Sequence, residues 1–205
     1  MKKRIVTIAL LVALIAVLAT SATMAYLTDT DAKTNVFTIG NVDIALYEST
    51  LNRTADTTTN AQIKTDAESY TTYLAEQGKD IVPGRVIKKA PYVENIGKNA
   101  AYIRIKMVVP TAFYNLLVIA ENEDDNIVKS VAAGNETTVV TYTYQEALAA
   151  EEMSFYAPFY QVSLKTELDN AQLANITSQI EVQVEAIQAE GFATAALAFA
   201  AFADQ

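Results

Sequence analysis

The stretch Asn35-Val-Phe-Thr-Ile-Gly-Asn-Val-Asp-Ile-Ala-Leu-Tyr47 sets the fold class of this chain. Val42, Ile44 and Leu46 alternate with Asp43, Ala45 and Tyr47, the period-two pattern of a half-buried strand. Phe37 and Ile39 alternate as well, but on the opposite parity. The parity switches at Gly40-Asn41, where a bulge or bend would return both apolar sets to one face. The segment is therefore one kinked strand or two short ones.

Downstream, period two keeps returning. In Tyr102–Val109, Ile103, Ile105, Met107 and Val109 take one face and Arg104 and Lys106 the other, and Pro110 stops the run. Pro83-Gly84 is a turn, Val86–Val93 a strand, and Glu94–Asn99 a loop of turn formers. Further strands are expected at Tyr114–Ile119, Asn126–Val131, Thr137–Tyr144, Tyr160–Lys165 and Ser178–Ile187. Helical spacing intrudes in three places. Ile63, Ala67, Tyr70 and Leu74 mark an insertion over 60–78, with Asn60 as its expected cap and Gly78 as its end. Gln145–Met153 reads as a short helix, and Phe192, Ala196, Phe199 and Phe202 give the tail a helical face. Strands with helices as insertions rather than regular crossovers predict an all-β antiparallel sandwich, with residues 26–205 as a single domain.

Upstream, Lys2-Lys3-Arg4 precedes an apolar run from Ile5 to Ala19 broken only by Thr7, then the small residues Thr20–Ala25. A positive start, a short apolar core and a small-residue exit predict a signal peptide over 1–25, cleaved between Ala25 and Tyr26. The alternative is an uncleaved anchor, the only contact with membrane that the sequence suggests. No pilin-type Gly-Phe-Thr segment and no Leu-Pro-x-Thr-Gly sorting motif occurs. The expected location is outside the cell, as a secreted or cell-surface protein.

Composition narrows the chemistry. The 205 residues include no histidine and no cysteine. A Ser-His-Asp triad, a thiol nucleophile, a disulfide framework and a His- or Cys-ligated zinc are all excluded. Fifteen cations face twenty-four acids; cleavage at Ala25 would leave twelve cations and a net charge of −12. Such a surface repels phosphate backbones, so nucleic acid is not an expected partner.

The remaining candidate sites have plain structural readings. Glu121-Asn122-Glu123-Asp124-Asp125-Asn126 is the densest acidic run, yet it lacks the spacing of a calcium-binding EF-hand loop and reads as a solvated hairpin. Asp29-Thr30-Asp31 is shorter still. Glu151-Glu152 reads as a helix surface, and Ser163-Leu164-Lys165 is one residue short of Ser-x-x-Lys. Asn52, Asn135 and Asn175 open Asn-x-Thr sequons. No catalytic residue, metal ligand or cofactor is expected, and the chain reads as a non-enzyme.

Three blocks together resemble one family. Met24–Glu48 closely resembles the N-terminal signature of the TasA/camelysin proteins, exported bacterial proteins processed by a SipW-type signal peptidase. Asp80-Ile-Val-Pro-Gly84, Val93-Glu-Asn-Ile-Gly97 and Asn99-Ala-Ala-Tyr-Ile-Arg-Ile105 are similar to the family's central block, and Glu185-Ala-Ile-Gln-Ala-Glu-Gly-Phe192 to its closing strand and short helix. The resemblance implies a jelly-roll-like β-sandwich in a biofilm matrix. It also implies a head-to-tail homopolymer in which the N-terminal segment freed by signal peptidase completes the sheet of the next subunit. Val36, Phe37 and Ile39, within residues 26–39, are the candidate donor strand, and Gly40 is the point where it leaves its own domain. Some camelysin relatives are described as metalloproteases; a chain with no histidine lacks the His-Glu-x-x-His such chemistry needs. Two alternatives stand beside these implications. Residues 36–47 can form the first strand of their own sandwich, and the protein can be a monomeric exported module that binds glycan or cell surface.

Overall fold

The computed structural model describes residues 36–39, 42–54, 57–77, 82–168 and 179–203. The expected signal peptide over 1–25 with the predicted cleavage residues Ala25 and Tyr26, the Gly40-Asn41 pair, and the Asp29-Thr30-Asp31 run lie outside them. Ten strands and three helices are described: β1 Val36–Ile39, β2 Ile44–Ser49, α1 Asn60–Gln77, β3 Val86–Lys88, β4 Ala90–Asn95, β5 Ala101–Pro110, α2 Thr111–Tyr114, β6 Leu117–Glu121, β7 Ile127–Ala133, β8 Thr137–Tyr144, β9 Phe159–Leu164, β10 Glu181–Gln188 and α3 Ala195–Ala203. The fold is all-β with helical insertions, and its sheets are antiparallel apart from one pairing.

One layer is the five-stranded sheet β1-β10-β5-β8-β7. The facing layer holds β2-β4 and β3-β9-β6. These two pieces are joined by the run 86–95. Its first part pairs with β9 and its second with β2, and the Lys89 N–H donates to the Tyr160 carbonyl at 2.9 Å between them. The alternation of β5 buries Ile103, Ile105, Met107 and Val109 completely. They meet Val140 and Tyr142 of β8, Val182 and Val184 of β10, and Ile44, Val93, Phe159 and Leu164 from the opposite layer in one core. Each such side chain contributes about 1.5–3 kcal/mol through burial.

Helix α1 lays Ile63 onto a second cluster with Ala90, Tyr92, Met153 and Ala157, and its buried Tyr70 donates its hydroxyl to the Lys88 carbonyl at 3.0 Å. Helix α3 lays Ala195, Ala198 and Phe199 against Tyr102 and Ile187 on the outer face of the five-stranded sheet.

The structure corrects several expectations. The parity switch at 40–41 marks a change of layer, since β1 pairs with β10 and β2 with β4. The predicted strand Val86–Val93 splits at Lys89, whose buried ammonium is drawn to Glu48 at 2.5 Å. Tyr114 closes the short helix α2, so that strand begins only at Leu117. Gln145–Met153 is not a helix; Leu148 and Met153 make single bridges to Ala101 and Glu94, with a tight turn between them in which the Glu152 N–H donates to the Ala149 carbonyl at 3.3 Å. Helix α1 is capped by Thr59 rather than Asn60. Gln62 N donates to Thr59 Oγ1 at 3.3 Å while Thr59 N donates to Gln62 Oε1 at 2.8 Å, a reciprocal capping box. In the tail the buried stripe is Ala195, Ala198 and Phe199; Ala196 is exposed.

Candidate assembly strand and its seat

Strand β1 is four residues long and sits at one end of the five-stranded sheet. Val36, Phe37, Thr38 and Ile39 lie in register with Val184, Glu185, Ala186 and Ile187 of β10, running parallel. Every other strand pairing among the described residues is antiparallel. Parallel pairing is slightly weaker per residue, and each net hydrogen bond is worth only about 0.5–1.5 kcal/mol. The strand is thus held on by a few kcal/mol of pairing.

The chain then crosses layers. Four residues, 40–43, separate the end of β1 from the start of β2. Fully extended, such a link spans roughly 17 Å, against about 10 Å between packed sheets. Its far end is firmly fixed. The Asp43 carbonyl accepts the N–H of Ile96 at 2.9 Å and of Gly97 at 3.0 Å. The turn that presents those donors is built on Asn95, which is fully buried and fully engaged. Its Nδ2 donates to the Asn99 carbonyl at 2.8 Å and the Leu148 carbonyl at 3.0 Å, and its Oδ1 accepts from Gly97 N at 3.0 Å. A side chain at residue 97 would place Cβ 2.8 Å from Asp43 N, so only glycine allows this approach.

The seat, β10, is firmly built. Its inner residues Val182, Val184 and Ala186 are core. On its outer face Glu185 is buried and ion-paired with both Arg104 and Lys106 of β5. Arg104 lies under the Phe199 ring of α3, 4.3 Å from its centroid. This Glu185 knot was not singled out from sequence. Arg104 and Lys106 on the outer parity of one strand read from sequence as an ordinary solvent face, and only the register of β10 brings Glu185 between them.

Of the candidate residues, the structure places Val36, Phe37 and Ile39 on β1; Ala25, Tyr26 and Gly40 lie outside the described residues. The acidic loop closes the other flank of the sandwich. Glu121 of β6 accepts from the Tyr142 hydroxyl at 2.5 Å and pairs with Lys129 of β7 at 2.6 Å, joining the last strands of both layers. Burial, then the Glu121 hydrogen bond, raises the Tyr142 hydroxyl well above the usual tyrosine range. A cavity of about 370 Å³ opens there, lined by the acidic run with Lys129 and Tyr142. Among the described residues no three acids converge as a metal site. Asp124 Oδ1 is used to accept from Asn126 N at 2.9 Å.

The Asn52 sequon side chain forms a reciprocal amide pair with Asn122, at 3.1 and 2.8 Å. Ser163 is on β9, and Lys165 Nζ donates to the Asn115 carbonyl at 2.6 Å. Glu151 adopts a left-handed conformation (φ 63°) in the turn between Leu148 and Met153, with its N–H donating to the Asn95 carbonyl at 2.8 Å. No helix among the described residues is long and apolar enough to cross a membrane. Compared with protein-family models, curated proteins and solved structures, the chain matches none.

Proposed function

We propose that this chain is an exported structural protein of an extracellular biofilm matrix, built on a jelly-roll-like sandwich. In this reading its copies assemble head to tail into filaments by exchange of the N-terminal strand. The observation that carries the reading is the contrast across residues 40–43. On one side is a four-residue parallel edge strand, and on the other an anchor held by two backbone hydrogen bonds and a buried asparagine. A short link between a weakly held strand and a fixed anchor favours exchange between copies, because the strand finds the same seat on a neighbour at little net cost. Main-chain hydrogen bonds then supply affinity, and alternate apolar positions such as Phe37 and Ile39 supply register. The contact does not close on itself, so it propagates.

The similarity of Met24–Glu48 to the TasA/camelysin signature supports the same assignment. Cleavage at Ala25–Tyr26 by signal peptidase is the switch in this reading, since it frees the donor end from the membrane. Two chains test it by negative-stain electron microscopy, one beginning at Tyr26 and one at Gly40. Filaments from the first and dispersed particles from the second are expected; a first chain that stays monomeric through changes of salt, acid and concentration overturns the proposal. The competing reading, a monomeric module for glycan or cell surface, draws on the flank cavity beside Tyr142. It predicts binding that survives removal of residues 26–39.

A further inference from the structure

The opposite edge of the same sheet is β7, and among the described residues no strand pairs with its outer side. Its seven residues make it the longest described strand with a single pairing partner. Edges are ordinarily guarded by shortness, bulges, proline or outward charge. Strand β3 has three residues, and β6 has a register break at Ala120/Glu121. Strand β7 has neither device. It contains no acid and no proline, and its one cation, Lys129, is turned back onto Glu121 of its own molecule. Val128 and Val131 are 52% and 48% exposed.

The sequence Ile127-Val-Lys-Ser-Val-Ala-Ala133 is complementary to its own reverse about Ser130. Antiparallel self-pairing there sets Val128 opposite Ala132 and Lys129 opposite Val131, with the two copies of Ser130 facing each other. No like charges meet within the strand. The register partner of Lys129 is the inward-facing Tyr142, which places Val128, Ser130 and Ala132 on the outer face. A pairing about Ser130 therefore matches outer positions with outer positions and keeps the two sandwiches in line. We propose that β7 is a self-pairing edge, at which two copies of this chain join about a twofold axis through Ser130 into one continuous sheet. This contact uses the edge opposite β1 and does not rest on the filament reading.

Two copies that each carry a net charge of −9 repel one another as they meet. That repulsion is screened by salt over a Debye length of about 10 Å at 0.1 M, so association strengthens as ionic strength rises.

The chain has no native cysteine, so single cysteines report cleanly. Protein expressed from the full 205-residue sequence is recovered as the host releases it, and disulfide dimers are followed on denaturing gels under mild oxidant. Directly opposed positions of paired strands fall within disulfide reach. S130C should cross-link about tenfold faster than K129C, whose own copies sit diagonally, and than T72C on the exposed face of α1. Adding V131K should bring the S130C rate down to that of T72C with unchanged circular dichroism. The S130C rate should rise between about 20 and 300 mM salt. An S130C rate equal to that of T72C overturns the proposal, as does a rate that falls with salt. So does preferential heterodimer formation between S130C and T38C chains, which would make the N-terminal strand the occupant of this edge.

Discussion

The N–H of Gly97 donates to the carbonyl oxygen of Asp43 at 3.0 Å, one position before β2 begins. This bond, with its neighbour from Ile96, fixes the point from which the N-terminal strand departs. Val42, just before Asp43, is already part of the main core, so the strand that the proposal gives to a neighbour is β1 alone.

The close approach makes a first prediction. Gly97→Ala drives Cβ to within 2.8 Å of the Asp43 nitrogen, a backbone atom that cannot yield alone. The expected cost is about 1–3 kcal/mol, of the size found when a packed site is overfilled. It is measured as a lowered urea midpoint with an unchanged slope. An unchanged midpoint would remove the anchor from the account.

A second prediction concerns the seat. Glu185 is buried between Arg104 and Lys106, themselves partly exposed. Glu185→Gln leaves two cations without their acid under α3, and the expected loss is about 1–3 kcal/mol, at or below the range for breaking a fully buried pair. If β10 carries the donated strand, the same variant also slows filament growth seen by light scattering. Growth at the unaltered rate in a destabilised variant would separate the seat from assembly.

How much of this could be read from the sequence follows from the physics of each signal. Alternation reports burial on one face of a sheet, and β5, β8 and β10 came through because their inner residues all face one core. It does not report which sheet a strand joins. The run 86–95 and the stretch 36–47 each change partner midway, and both read as single strands or kinks for that reason. Gln145–Met153 looked helical because local spacing cannot see the bridges of Leu148 and Met153 to strands some fifty residues away in the chain. At the candidate site, the parity switch drew attention to Gly40. The long-range partners β10, Glu185 and Gly97 carry no local mark.

A third prediction is alkaline. The Tyr142 hydroxyl is raised above its usual range by burial and then by Glu121, and that of Tyr144 by burial. In the unfolded chain both ionise near pH 10. The folded form holds its protons longer, so the stability from these groups is complete below about pH 10 and declines as pH rises above it. Denaturation melts across this range should show the decline, and Tyr142→Phe should make it shallower. A Tyr142→Phe profile that parallels the parent would show that this hydroxyl does not govern the loss.

The central claim is that β1 leaves its own β10 for a neighbour's, and Thr38 and Ala186 are register partners across that seam. In a chain without cysteine, T38C protein and A186C protein can be mixed during assembly and oxidised. A disulfide between these two variants forms only if the strand is donated from one molecule to the other. The account predicts abundant heterodimers, and a covalent ladder when both cysteines are placed in one chain. No heterodimers, with the doubly substituted chain closing only on itself as a monomer, would contradict it.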